Sequence, residues 1–141
     1  MSPNKHKKIY LDNQATTQVD PKVLDAMLPW FTEKFGNAAS RSHHFGWEAQ
    51  EAVDITREKI SELIGAVPQE IIFTSGATEA NNLALKGSLE ASPNSENHII
   101  SVCTEHKSIL DPLNSISAPN CTIKFLGVKK DGIIDLEKLE N

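Results

Sequence analysis

Apolar residues return along this chain in two rhythms, and each rhythm predicts a different kind of element. Between residues 20 and 65 the spacing is three or four, the period of one helix face. "PKVLDAMLPWFTEKF" places Val23, Leu24, Met27, Leu28 and Phe31 on such a face. Asp20 is a candidate N-cap before it, Pro21 suits the first helical position, and Pro29 should bend or interrupt the helix. "WEAQEAVDITREKISELIG" repeats the pattern with Ala49, Ala52, Val53, Thr56, Ile60, Leu63 and Ile64, and Gly65 supplies the stop. Between these helices, "GNAASRSHHFG" is small and polar between two glycines and reads as an exposed loop.

From residue 70 onward the apolar positions become continuous. "EIIFTS" (70–75) and "HIISVC" (98–103) read as strands buried on both faces, with a helix beginning near Ala77 and fading in "SPNSEN". Strand, helix, strand at that spacing predicts a βαβ unit and a parallel sheet. "CTIKFLGV" (121–128) is a further strand candidate after a short helix around "SILDPLN". "DGIIDLEKLEN" predicts a turn at Asp131 and Gly132, a cap at Asp135 and the start of a helix. Near the beginning, "KIYLDN" (8–13) reads as a short strand. No internal repeat or low-complexity segment interrupts the pattern.

Composition narrows the function classes. The 141 residues are one domain's worth of chain, and 39% hydrophobic with 23% charged residues suits a folded core. A net charge of −5 argues against nonspecific nucleic-acid or anionic-membrane binding. "KHKK" (5–8) is the one basic cluster, a solvated tail on the plain reading and a docking patch on the sharper one. No stretch approaches the ~18 apolar residues of a membrane span, and the start lacks the apolar core of a secretory signal, so a cytoplasmic location is expected. Cys103 and Cys121 have neither C-x-x-C nor paired-histidine spacing, which predicts reduced thiols and no metal site.

Three segments could carry chemistry. In "TSGATEANN" a strand hands over to a helix: Gly76 permits a tight turn, Ala77 and Thr78 present N–H groups at the helix start, and Thr78 adds a hydroxyl. A phosphate suits such a corner, although many are only well-capped helices. "TEHKS" sets Glu105, His106 and Lys107 at the carboxyl end of a parallel strand, where His106 could stack on a planar cofactor or move a proton, or simply be solvated. "NAASRSHH" offers Arg41, Ser42, His43 and His44 in one loop, a lid or carboxylate-recognition segment on one reading and plain surface on the other. Lys107 shows no surroundings that would depress its pKa for nucleophilic work, and Cys103 reads as a buried small hydrophobe.

Taken in order, "YLDNQATTQVDPKVLDAM", "FGNAASRSHHFGWEAQEAVDITREKISELIGA", "EIIFTSGATEANNLALKG", "TEHKSIL" and "DGIIDLEKLE" resemble the N-terminal part of cysteine desulfurases of the NifS/IscS type, pyridoxal-phosphate enzymes in the class-V aminotransferase family. The resemblance implies an α/β fold, the N-terminal part of a fold-type-I pyridoxal 5'-phosphate-dependent transferase: a mostly parallel sheet flanked by helices and incomplete here. Residues 1–15 would contribute to the family's small domain and 16–141 to its large cofactor-binding domain. Ala77 and Thr78 become the expected phosphate contacts, and His106 the expected ring-stacking, catalytic histidine. The segments "LDNQATT" and "RSHH" would lie near the substrate, with the individual roles of Arg41, His43 and His44 unassigned.

The implied activity is removal of sulfur from L-cysteine, giving L-alanine and an enzyme persulfide for iron–sulfur cluster assembly or another sulfur acceptor. The family is homodimeric. The chain departs from the family's full pattern: the cofactor-bearing lysine, the aspartate facing the pyridine nitrogen, the loop cysteine and the carboxylate-binding arginine find no match, and neither Cys103, Cys121 nor Lys107 fits their motifs. Marginal stability, exposed apolar surface and no turnover are therefore expected of this polypeptide alone, whether a fragment or half of a split enzyme. A noncatalytic binding or dimerisation module, and another class-V enzyme such as a selenocysteine lyase or an aminotransferase, remain as alternatives.

Overall fold

A computed structural model describes residues 8–140. Five α-helices and two strands follow in the order α1 (Pro21–Thr32), α2 (His44–Ile64), α3 (Ala77–Ala91), β1 (Asn97–Val102), α4 (Lys107–Ser115), β2 (Cys121–Leu126) and α5 (Leu136–Glu140), with a 3-10 turn at Pro68–Glu70. They divide into two compact units, one ending at Ile71 and the other starting at Ile72.

In the first unit, α1 starts as its sequence dictates. The Asp20 carboxylate accepts the N–H of Lys22 at 2.8 Å, and Pro21 occupies the first helical position. Of the two outcomes expected at Pro29, interruption does not occur: the helix continues to Thr32. Pro29 still supplies a carbonyl, and this closes the end by accepting from Glu33 (2.9 Å) and Lys34 (2.8 Å). Residues 36–46 are not all loop: α2 begins at His44, with His43 as its cap. Both flanking glycines are needed for close approach, since a Cβ on Gly46 would overlap the carbonyl of Ser40 and one on Gly36 the carbonyl of Phe45. Gly65 ends α2 in the left-handed conformation, φ 71°, and the Arg57 guanidinium reaches forward to the carbonyl of Ile71. "KIYLDN" forms no strand. With no partner strand among the described residues, the local turn wins, and the Tyr10 hydroxyl bonds the carbonyls of Asp12 (2.8 Å) and Thr16 (3.2 Å).

The second unit contains the sheet. β1 and β2 pair in parallel from Asn97↔Cys121 to Val102↔Leu126, with α4 as the crossover between them. The predicted parallel βαβ unit is thus present one element later than expected. Residues 71–74 form no strand among the described residues, because a strand exists only where a neighbour completes its ladder. α3 and α4 pack together. The turn at Asp131 and Gly132 forms as expected, with Gly132 at φ 83° and the Asp131 carboxylate accepting the N–H of Ile133 at 3.1 Å.

Little of the apolar surface is covered. Among the hydrophobic side chains described, Ala49, Leu113 and Leu126 are buried, whereas Leu11, Leu63 and Phe31 stand well exposed. The first four positions of each strand alternate half-buried and exposed instead of being sealed on both faces. Cys103 is exposed, contrary to its reading as a small buried hydrophobe, because it lies just past β1, with its N–H on the carbonyl of Leu126 at 2.9 Å. Cys121 stands at the opposite end of the sheet, and both thiols are free. No helix among the described residues is long and apolar enough to cross a membrane.

Candidate cofactor corner between two helices

The N-terminus of α3 is built by three adjacent residues and one that reaches back. The chain bends at Ser75 and Gly76, and Gly76 caps the helix in a nearly fully extended conformation instead of the expected tight turn. Glu79, in the first helical turn, accepts both the N–H and the hydroxyl of Ser75, each at 2.7 Å. Those two bonds hold its carboxyl below the ordinary glutamate range. The loop is pinned this way, while the first N–H groups of the helix, those of Ala77 and Thr78 included, have no carbonyl partner inside it. The helix dipole adds partial positive charge at the same place.

α4 begins beside this corner. His106 is its N-cap: the backbone N–H of Ser108 donates to Nδ1 at 3.1 Å, and the Ser108 hydroxyl lies 3.0 Å from the same nitrogen. Ser108 is buried, and its Oγ accepts a hydrogen bond from the amide nitrogen of Asn81 on α3 at 2.9 Å. Leu113, further along α4, is the most completely enclosed side chain described, 1% exposed, and anchors the packing of that helix.

A cleft of about 470 Å³ opens along the two helices, lined by Thr78, Asn82 and Lys86 from α3 and by His106, Lys107 and Asp111 from α4, among others. Of the residues singled out in sequence, Thr78 and His106 face this one cleft. Ala77 is the first residue of α3, next to Thr78, and contributes backbone instead of lining. Arg41, His43 and His44 belong to the first unit. There the Nδ1 of His43 accepts the N–H of Gly46 at 3.3 Å, the carbonyl of Arg41 accepts from the Trp47 indole at 2.8 Å, and His44 stands beside Phe45. Sequence reasoning passed over Glu79, Asn81, Lys86 and Ser108. For Glu79 a signal existed, a carboxylate in the first turn beside a serine-bearing corner. Ser108 and Asn81 carried none, because their meeting depends on how α3 and α4 pack.

The cleft offers a threonine hydroxyl, two lysine ammonium groups and an imidazole beside a helix N-terminus, groups suited to an anion, with the Asp111 carboxylate on the same lining.

The fold is of the mixed α/β class, with a small parallel sheet and two helix starts on one cleft. Residues 9–141 match the family described as aminotransferase class-V, and the chain belongs to that family of pyridoxal-phosphate enzymes. It is 54% identical over its full length to the cysteine desulfurase IscS of Rickettsia massiliae (strain Mtu5), covering 35% of that protein. To the IscS of Rickettsia rickettsii (strain Iowa) it is 56% identical over 94% of the chain, covering 32%. Among solved structures, a NifS-like protein superposes with TM-score 0.82 at 38% identity, over 95% of this chain and 36% of that one. SspA in complex with cysteine superposes with TM-score 0.74 at 34% identity, over 89% of this chain and 36% of that one. The chain spans about a third of the length of the relatives it matches.

Proposed function

We propose that this chain is the N-terminal, cofactor-gripping part of a cysteine desulfurase. The observation that carries the reading is the meeting of Thr78 and His106, from two different helices, on one cleft. In this assignment the N–H groups of Ala77 and Thr78 and the hydroxyl of Thr78 hold the phosphate, and His106 faces the pyridine ring. Residues 1–15 serve the family's small domain and residues 16–141 its large one.

Pyridoxal 5'-phosphate, when bound, supplies an electron sink for chemistry at an amino acid. The chain's own residues do the rest of what belongs to this corner. The start of α3 holds charge without a mobile counter-ion, Lys86 and Lys107 raise the local positive potential, and His106 holds a proton at Nε2 while Nδ1 is occupied as an acceptor. The substrate is L-cysteine, a reading that draws support from the cysteine held by SspA. The products are L-alanine and a persulfide, which a full homodimeric enzyme hands to an iron–sulfur scaffold or another acceptor in the cytoplasm.

The test pairs this chain with a polypeptide supplying the remaining length of an IscS relative. Wild type should retain pyridoxal phosphate through gel filtration and release alanine from L-cysteine. Thr78→Val should weaken retention by roughly tenfold or more, the loss of one hydrogen bond to a charged group. Equal retention by wild type, Thr78→Val and His106→Ala would overturn the assignment. A stable complex without alanine would favour a noncatalytic module.

A further inference from the structure

We infer that Ser108 and Asn81 are positioning residues that fix the imidazole of His106 in a single tautomer, with its proton on Nε2. The inference deepens the reading above and rests on it only for the use to which the proton is put, since the arrangement is a property of the chain itself.

A backbone N–H can only donate. The N–H of Ser108 lies 3.1 Å from Nδ1 of His106, so that nitrogen must present its lone pair, and a neutral ring then carries hydrogen on Nε2. A helix cap needs no more than this, and an asparagine or aspartate would provide it.

The site holds more than a cap. The Ser108 hydroxyl is a second group on the same nitrogen at 3.0 Å, and a hydroxyl can either give or take a hydrogen. The backbone N–H already makes Nδ1 an acceptor, so the hydroxyl can only donate to it, and the amide nitrogen of Asn81, donating to Ser108 Oγ at 2.9 Å, holds that oxygen in place and fills one of its two lone pairs. Ser108 is 8% exposed, so water has little access with which to reverse this order. The chain of donors runs Asn81, Ser108, His106 and crosses from α3 to α4, the two helices that line the cleft. Nε2–H is then the proton that the ring offers to anything bound there, and two hydrogen bonds hold the ring's orientation.

The experiment reads the tautomer directly. The ¹⁵N-labelled full chain is examined by long-range proton–nitrogen correlation of its imidazoles, at a pH where His106 is neutral. Wild type should show Nδ1 as a lone-pair nitrogen and Nε2 as protonated. Ser108→Ala should lower the share of the Nε2–H form relative to the Nδ1–H form about fivefold, the fold-change of one ordinary hydrogen bond. Ser108→Thr should restore it. Asn81→Asp should act in the same direction and further, because an acceptor-only carboxylate draws the Ser108 proton away and turns an oxygen lone pair towards Nδ1.

An unchanged tautomer ratio in both Ser108→Ala and Asn81→Asp, with the amide spectrum intact, would overturn the inference. If the alanine variant fails to fold, Asn81→Asp decides alone. A chain that shows the relay yet never retains pyridoxal phosphate would overturn the proposed function and leave this inference standing, and the converse separates equally well.

Discussion

His43 and His106 do the same job at the entrances of two helices, each accepting a backbone N–H on Nδ1, from Gly46 at 3.3 Å and from Ser108 at 3.1 Å. The residue two positions on separates them. After His43 it is Phe45, whose ring lies 6.4 Å from the imidazole and stacks on Phe35 at 5.6 Å. After His106 it is Ser108, buried and tied to another helix through Asn81. A capping histidine is therefore not a site by itself. The second entrance differs because a neighbouring helix start lies on the same cleft and a hydroxyl governs the ring's proton.

The largest effect should come from removing what supports the second entrance. Leu113→Ala deletes an almost fully enclosed side chain of α4 and should cost about 2–5 kcal/mol, read by urea unfolding. Amide exchange should accelerate at Ser108 while that at Gly46 changes little. Equal acceleration at both caps would erase the distinction between the two regions.

A smaller, sharper contrast comes from replacing each capping histidine by asparagine, itself a good cap. Both His43→Asn and His106→Asn should leave helix stability within roughly 0.5 kcal/mol. Only His106→Asn should reduce retention of pyridoxal phosphate in the reconstituted complex. Loss of retention in both variants would mean that His43 had been misjudged.

The smallest effect concerns acid. The carboxyl of Glu79 is held below its ordinary range by the N–H and hydroxyl of Ser75. The folded value lies under the unfolded one, so its contribution is fully present above the ordinary glutamate pKa and is lost as pH falls through the lowered folded value. The Ser75 amide resonance should follow that titration in wild type and stay flat in Glu79→Gln. A flat response in wild type would show that the carboxylate does not hold the corner.

Helix ends were the most legible features of the chain. Asp20 with Pro21, and Gly65, set their boundaries through residues one to three positions away, and the start of α3 at Ala77 follows the same logic. Burial was much less legible. The apolar faces of α1 and α2 were readable as faces, yet α1 buries no residue and Leu63 of α2 is 85% exposed, because burial needs a partner surface that periodicity does not name. The segment at 70–75 had the composition of a strand and no ladder to join. Within the corner, Thr78 and His106 could be singled out as residue types at element ends, whereas Asn81 and Ser108 could not.

The sequence by itself determined the start of α1 at Pro21, the stop of α2 at Gly65, the start of α3 at Ala77, and the family to which the order of motifs belongs, because caps, turns and motif spacing act over a few covalent links. Tertiary structure decided that β1 pairs with β2, that α3 lies on α4, and that Asn81 meets Ser108 behind His106. Those outcomes depend on contacts between residues far apart in the chain, whose geometry is fixed only when packed surfaces meet.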